Sequence, residues 1–120
     1  MSKPESTLRQ RIRTALRYAF NCDIYSNVGS AYSGSGVHDL TVAVGGKFLG
    51  LEIETSTGTL TPAQQRRIRK CNKRGNPAAP ITSPREALNA TYLVFNDKWN
   101  FELAENDDFS FIQEPKKGNT

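Results

Sequence analysis

Three carboxylates near the middle of the sequence, Asp39, Glu52 and Glu54, could do chemistry together if the fold brings them to one place. Mg²⁺ and Mn²⁺ are hard ions that prefer carboxylate oxygens and water as ligands. Two unit charges about 4 Å apart repel by roughly 1 kcal/mol in water and about 4 kcal/mol at an effective dielectric constant of about 20. A cluster of these acids would therefore need a shared proton, an Arg or Lys, or a divalent cation.

A β-hairpin predicted over two apolar runs, residues 37–44 and 47–53, would bring two of the acids together. The glycine pair at 45–46 can take the positive φ angles of a two-residue loop, and that loop places Asp39 opposite Glu52, with Cβ atoms about 4.5–5.5 Å apart. Side chains alternate between faces, so the core side carries Leu40, Val42, Leu49, Leu51 and Ile53. The other side carries Asp39, Thr41, Gly50, Glu52 and Glu54.

A different register would remove this arrangement. A three-residue loop or a bulge would move Asp39 to the other face, and the acids would then be solvated surface groups. The hairpin alone leaves the metal site and the solvated acids as two open interpretations.

An amphipathic helix is predicted over residues 4–20. Its buried stripe comprises Leu8, Ile12, Ala15, Leu16 and Ala19. The arginines on another face, at i, i+4 and i+8, are Arg9, Arg13 and Arg17. Glu5 fits a capping box with Ser2 as the N-cap, which helical geometry alone favours, but it also extends the inward stripe toward a site under the helix.

A second helix, predicted over residues 62–73, is strongly basic. Thr61 and the proline after it give an N-cap and an N1 proline, and Gly75 is the predicted C-cap. The basic residues of this segment are Arg66, Arg67, Arg69, Lys70, Lys73 and Arg74. A solvated helix face would account for them, but beside an acidic cluster contacts with phosphates are the better explanation. Gln64 or Gln65, in the first turn, could point into the site.

The last third of the sequence predicts smaller elements. A short strand near 79–82 is followed by a helix over 83–89. Residues 91–95 and 99–103 are typical of two strands joined as a second hairpin, and 109–112 of an edge strand.

Composition limits the class of protein. The 120 residues, 37% hydrophobic and 23% charged, suit one globular domain, predicted over 1–114 with a disordered tail over 115–120. The net charge of +4 comes largely from basic segments on either side of the acids, as expected if a polyanion is brought to a metal site. Cys22 and Cys71 form no zinc-binding pattern, so we expect reduced thiols in a cytosolic protein. We find no signal peptide and no apolar run of about 20 residues.

Taken together, Glu5, the GVHD segment, the LEIE strand and the TGTLTPAQ helix start resemble the virus-type replication-repair nuclease (VRR-NUC) domain of the PD-(D/E)XK superfamily. The spacing of that domain relative to Glu52 is kept by Gly58, Leu60, Pro62 and Gln64. The resemblance covers roughly residues 4–90. It implies an α/β, restriction-endonuclease-like αβββαβ core with a mixed central sheet flanked by helices, here with the extra C-terminal hairpin. It also implies metal-binding roles for Asp39 and Glu52 with help from Glu5, and it favours Gln64 as the site glutamine.

Two positions depart from the family pattern. His38 replaces the usual Pro, which is a minor change, whereas Glu54 stands where the family has its catalytic Lys, which orients the attacking water and stabilises phosphate charge. Four explanations stay open: a deliberate Lys-to-Glu change, a natural loss of activity with DNA binding kept, an added metal ligand, or another cation in the place of the Lys. That cation would be Lys47, a poor candidate on the opposite face in the predicted register, or an arginine of the second helix.

The resemblance implies a Mg²⁺- or Mn²⁺-dependent, structure-selective DNA endonuclease, impaired by Glu54. The implied substrate is branched or flapped DNA, and the implied setting is the cytoplasm of a bacterium or a phage-infected cell. Stand-alone domains of this family form dimers, so a homodimer is expected. The alternative is a non-catalytic DNA-binding module on a nuclease scaffold.

Overall fold

The computed structural model describes residues 3–26, 38–55 and 58–113, and of residues 3–6 only the backbone. Its elements in chain order are α1 (Lys3–Ala19), β1 (Cys22–Ser26), β2 (Leu40–Val44), β3 (Lys47–Ile53), α2 (Pro62–Lys73), β4 (Ala78–Ile81), α3 (Pro84–Phe95), α4 (Phe101–Ala104) and a 3₁₀ turn (Ser110–Ile112). The predicted αβββαβ order is confirmed by the first six of these elements.

The sheet is mixed and has the strand order β1-β2-β3-β4. The β1–β2 and β2–β3 pairs are antiparallel, whereas β4 runs parallel to β3. A parallel pair needs a crossover connection, and α2 supplies it. The predicted mixed sheet flanked by helices is therefore confirmed.

The hairpin has the predicted register. Gly45 and Gly46 have φ angles of 57° and 79°, as a two-residue loop of the type I′ kind requires. Val44 pairs with Lys47, and the pairing runs to Leu40 opposite Leu51. The five side chains assigned to the core side, Leu40, Val42, Leu49, Leu51 and Ile53, are all buried.

The two faces of the sheet are covered by different helices. Ile12 and Leu16 of α1 and Ala87 and Ala90 of α3 join the strand side chains in one apolar core. On the opposite face, α2 is held by Asn72, whose side-chain amide donates to the carbonyl of Ala78 in β4 at 2.8 Å. The Trp99 indole donates to Asn72 Oδ1 at 2.8 Å, which ties the segment before α4 to the same helix. Glu52 and Gly50, on that second face, are consequently buried between β3 and α2.

The predicted C-terminal hairpin is wrong. Residues 91–95 form the second half of α3, which begins with the Ser83 hydroxyl accepting from the Glu86 backbone at 3.1 Å. The buried residues of α3, at helical spacing, are Ala87, Ala90, Thr91 and Val94. Burial of this stripe outweighs the strand preference of Thr91 and Val94.

The strands predicted at 99–103 and 109–112 are also helical. Asn100 Oδ1 accepts from the Leu103 backbone at 3.0 Å and so begins the short helix α4. Ser110–Ile112 forms a 3₁₀ turn and buries Ile112. Side chain-capped turns in this region replace the ladder hydrogen bonds that an edge strand would need.

Three sequence predictions fall outside the described structure: the tail over 115–120, the Ser2 N-cap and the direction of the Glu5 side chain. In the described part of the chain, no helix is both long enough and apolar enough to cross a membrane.

Candidate active site

Glu52 is the buried centre of the site. It lies in β3 on the face covered by α2, and its side chain is 1% exposed. Its Oε2 accepts two hydrogen bonds, from Arg67 Nη2 at 2.9 Å and from His38 Nδ1 at 3.0 Å. Arg67 is itself only 12% exposed, so the two charges form a buried ion pair. The repulsion expected among the acids is thus offset by an arginine of the second helix.

His38 links Glu52 to a thiol. A carboxylate paired with Arg67 accepts hydrogen bonds, so His38 donates to it through Nδ1. The other ring nitrogen, Nε2, lies 3.6 Å from Cys71 Sγ. Burial raises the pKa of the Cys71 thiol, while Arg67 opposes the shift. The imidazole packs against Gly50, where a Cβ atom would lie only 2.3 Å from the His38 ring. A glycine is therefore required for His38 to reach Glu52.

Asp39 lies just before β2, and its side chain accepts a hydrogen bond that a longer β2 would have accepted through its backbone. The backbone pairing ends at Leu40 opposite Leu51, and the following donor on β3, the backbone N–H of Ile53, is bound by Asp39 Oδ2 at 2.8 Å. The Asp39 carboxylate is therefore held against the main chain directly beside Glu52. Both acids are therefore at the same end of the hairpin.

Glu54 directly follows β3, two residues after Glu52 in the chain. Its backbone N–H donates to the Ile81 carbonyl at 3.0 Å, which continues the parallel pairing with β4. Its carboxylate turns toward Gly58, where a Cβ atom would lie 2.9 Å from Glu54 Oε2. Lys47 is at the other end of the hairpin, with Nζ bound to the Phe95 carbonyl at 2.9 Å.

Gln64 forms the start of α2. Its Oε1 accepts from the Thr61 backbone at 2.8 Å, while the Thr61 hydroxyl accepts from the Gln64 backbone at 3.1 Å. This reciprocal capping box confirms the predicted N-cap. A role for Gln64 at the site stays a prediction.

The basic residues divide into exposed and engaged groups. The exposed ones are Arg17 of α1 and Arg66, Lys70, Lys73 and Arg74 at α2. Arg13 donates to the Ser26 hydroxyl, and Arg69 pairs with Asp107 at 2.7 Å. Two others are turned inward: Arg9 is buried, which corrects the face assigned to it, and Arg67 pairs with the buried Glu52.

Sequence reasoning missed His38 as a partner of Glu52, and it left open an arginine of the second helix without singling out Arg67. The signal was present in α2, where Gln64, Arg67 and Cys71 recur at i, i+3 and i+7 and so share one helix face. That face carries polar side chains of the kind that a buried acid needs. Among the described side chains, those of residues 7–26, 38–55 and 58–113, no group of three His, Cys, Asp or Glu converges as metal ligands do.

Comparison with known proteins identifies the fold. A solved structure described as a "VRR_NUC domain" superimposes with a TM-score of 0.60 over 78% of this chain and 96% of that chain, at 19% sequence identity. The resemblance inferred from the sequence is thus confirmed for the fold: the chain has the restriction-endonuclease-like fold of a VRR-NUC domain. No family model matches the sequence, and no curated protein matches it.

Proposed function

We propose that this chain binds DNA on the scaffold of a metal-dependent nuclease, and that its hydrolytic activity is impaired because Glu54 stands at the lysine position. The observation that carries the proposal is the Asp39 carboxylate bound to the Ile53 backbone directly beside Glu52. Two acids at adjacent strand ends, under a basic helix, suit an attack on a phosphodiester. The VRR-NUC fold supports the same class of reaction.

The donor set fits a hard divalent cation in type. All the hydrogen bonds that Glu52 makes with the described residues go to Oε2, which leaves Oε1 for a metal ion. Asp39 would supply a second carboxylate, and Glu5 of α1 a third. When bound, Mg²⁺ or Mn²⁺ would activate a water and stabilise charge on the phosphate.

Arg67 supplies part of what the missing lysine would have supplied. A guanidinium stays protonated in proteins, so it can stabilise negative charge but cannot accept a proton from water. Glu54 adds negative charge at the point where the scaffold normally has a cation. Charge stabilisation is therefore retained in part, whereas the group that orients and activates water is absent, which accounts for impaired hydrolysis.

The substrate is held by its backbone. The exposed cations, Arg17, Arg66, Lys70, Lys73 and Arg74, would contact phosphates, and such contacts fix the position of DNA without reading its sequence. Branched or flapped DNA is the substrate we propose, bound by a homodimer in the cytoplasm of a bacterial or phage-infected cell.

The test is cleavage of branched and flapped DNA in Mn²⁺ or Mg²⁺ by the unaltered chain and by Glu54→Lys. We expect weak or no cutting by the first and at least a tenfold gain for the variant, because one positioned charge is worth about 10²–10³ in rate. The matched control is Glu54→Lys combined with Asp39→Asn, which should lose the gain. If neither protein cuts with any divalent metal, the scaffold is not a nuclease.

A second candidate is a DNA-binding module without catalysis. Two observations favour it: the acidic residue at position 54 and the neutralisation of Glu52 by Arg67 within the protein. It predicts salt-dependent DNA binding that is unchanged by EDTA and by Asp39→Ala. A large loss of affinity on chelation would exclude this candidate.

A further inference from the structure

A cavity of about 450 Å³ opens beside the acidic site and has no part in the function proposed so far. It lies between the β2–β3 hairpin, the connection from α2 to β4 and the segment that leads into α4. Lining residues that matter to its chemistry are His38, Thr41, Phe48, Asn76, Trp99 and Phe101. Its volume is in the range of cavities that hold small organic ligands.

The cavity is continuous with the acidic site through His38. That residue lines the cavity and also hydrogen-bonds Glu52 at 3.0 Å. Phe48, Gly50 and Glu52 alternate along β3, so they share one face of the strand. A nucleotide next to a phosphate held at Glu52 would meet His38 first and Phe48 beyond it.

The lining suits a flat, neutral ring with a polar edge. Phe48 lines the cavity with 61% of the residue exposed, which leaves a large apolar surface open to a ligand. The charged lining residues, Lys47 and Asp97, pair with each other at 3.1 Å and so offer little net charge to a phosphate. Thr41 and Asn76 supply hydrogen-bonding groups at the wall.

We propose that this cavity, the Phe48 pocket, receives an unpaired DNA base from the strand whose backbone lies at Asp39 and Glu52. The inference rests on the proposed function and deepens it by assigning single-stranded or frayed DNA as the preferred substrate at the site. Aromatic side chains bind bases of any sequence by stacking, and an unpaired base enters a pocket without the cost of leaving a duplex.

Trp99 gives a direct readout, because it is the only tryptophan of the sequence and lines the pocket. The experiment titrates the full chain, in Ca²⁺ and separately in EDTA, with a short single-stranded oligonucleotide and follows Trp99 fluorescence and the anisotropy of labelled DNA. A blunt duplex of the same sequence is the second ligand. We expect saturable quenching by the single strand and little quenching by the duplex.

Two variants address the pocket in opposite ways. Phe48→Ala removes the stacking surface, and Thr41→Tyr fills the cavity with a residue that strands tolerate. Each should weaken single-strand binding by about 5- to 150-fold, the range for loss of one stacked base, and leave duplex binding unchanged. The matched control is Tyr92→Ala, which removes an aromatic residue of similar exposure, 53%, away from the pocket.

The outcomes separate the two proposals. If both pocket variants bind the single strand as Tyr92→Ala does while duplex binding persists, the Phe48 pocket is overturned and the proposed function stands. If the unaltered chain binds neither single-stranded nor duplex DNA, in Ca²⁺ or in EDTA, the proposed function fails and the pocket assignment fails with it.

Discussion

Replacing Arg67 with Met tests the buried ion pair on which the site depends. The substitution keeps most of the apolar stem but removes the charge that faces Glu52 at 2.9 Å. Removing one partner of a buried pair costs about 3–5 kcal/mol, because the other charge is left uncompensated. His38 still donates to Glu52, so we expect the lower end, about 3 kcal/mol.

That free energy converts into a large shift in melting temperature. An unfolding entropy of about 2.1 cal/mol/K per residue gives roughly 0.25 kcal/mol/K for a chain of this length, hence a fall of about 12 °C. Differential scanning calorimetry or urea unfolding would measure it. The matched control is Arg69→Met on the same helix, whose pair with Asp107 is largely exposed and should contribute about 0–1 kcal/mol.

A second substitution separates charge from packing. Glu52→Gln removes the stranded charge, so the double variant with Arg67→Met should be more stable than Arg67→Met alone. If Arg67→Met is no more destabilising than Arg69→Met, or if Glu52→Gln does not recover any of the loss, the buried-pair argument is refuted.

The same variant also reports on metal binding. Without Arg67, a divalent ion at Asp39 and Glu52 is the remaining way to neutralise the buried carboxylate. A ligand at about a hundredfold over its Kd stabilises by about 2.7 kcal/mol, so Mn²⁺ should return most of the lost melting temperature. Adding Asp39→Asn should abolish the recovery, and a recovery that survives Asp39→Asn would place the ion elsewhere.

Two further predictions concern neighbours of the pair. Gly50→Ala should cost about 1–3 kcal/mol in urea unfolding, because its Cβ would overlap the His38 ring at 2.3 Å; wild-type stability would mean that the ring does not lie there. Cys22 and Cys71 should react with iodoacetamide more slowly in the folded protein than in urea at pH 8, because burial raises the pKa of both thiols. The folded state keeps these protons to higher pH, so its stability should fall as the pH rises above about 8.5, the ordinary range for thiol ionisation; a stability that rises there would contradict the direction of the shift.

The parts of the fold that the sequence predicted correctly are those determined by neighbours in the chain. The glycine pair at 45–46 sets the hairpin loop, and the loop sets the pairing that follows. Thr61, its proline and Gly75 bracket α2 within one residue, because caps and positive-φ termini act over a single turn. Each of these signals acts through the backbone of a few neighbouring residues, so it can be recognised in the sequence.

Residues 91–103 show where such local reasoning fails. Thr91 and Val94 prefer strands on their own, but both extend the buried stripe of α3 that starts at Ala87. Their conformation is decided by packing on the sheet, which a local preference of well under 1 kcal/mol per residue cannot oppose. The length of α3 therefore depends on its contacts with the sheet, which a short segment of the sequence cannot show.

The site shows the same division between local and distant information. The pairing of the hairpin was enough to bring Asp39 and Glu52 to one strand end, and the need for a compensating charge followed from electrostatics alone. The compensating charge itself comes from α2. Its Arg67, 15 residues from Glu52 in the chain, donates to that carboxylate at 2.9 Å. Because Arg67 binds only Oε2, an ion on Oε1 and the guanidinium can share the carboxylate. A bound metal would then have to overcome the charge of Arg67 but would not have to displace it, so metal affinity should be weakened by Arg67 and raised by its removal.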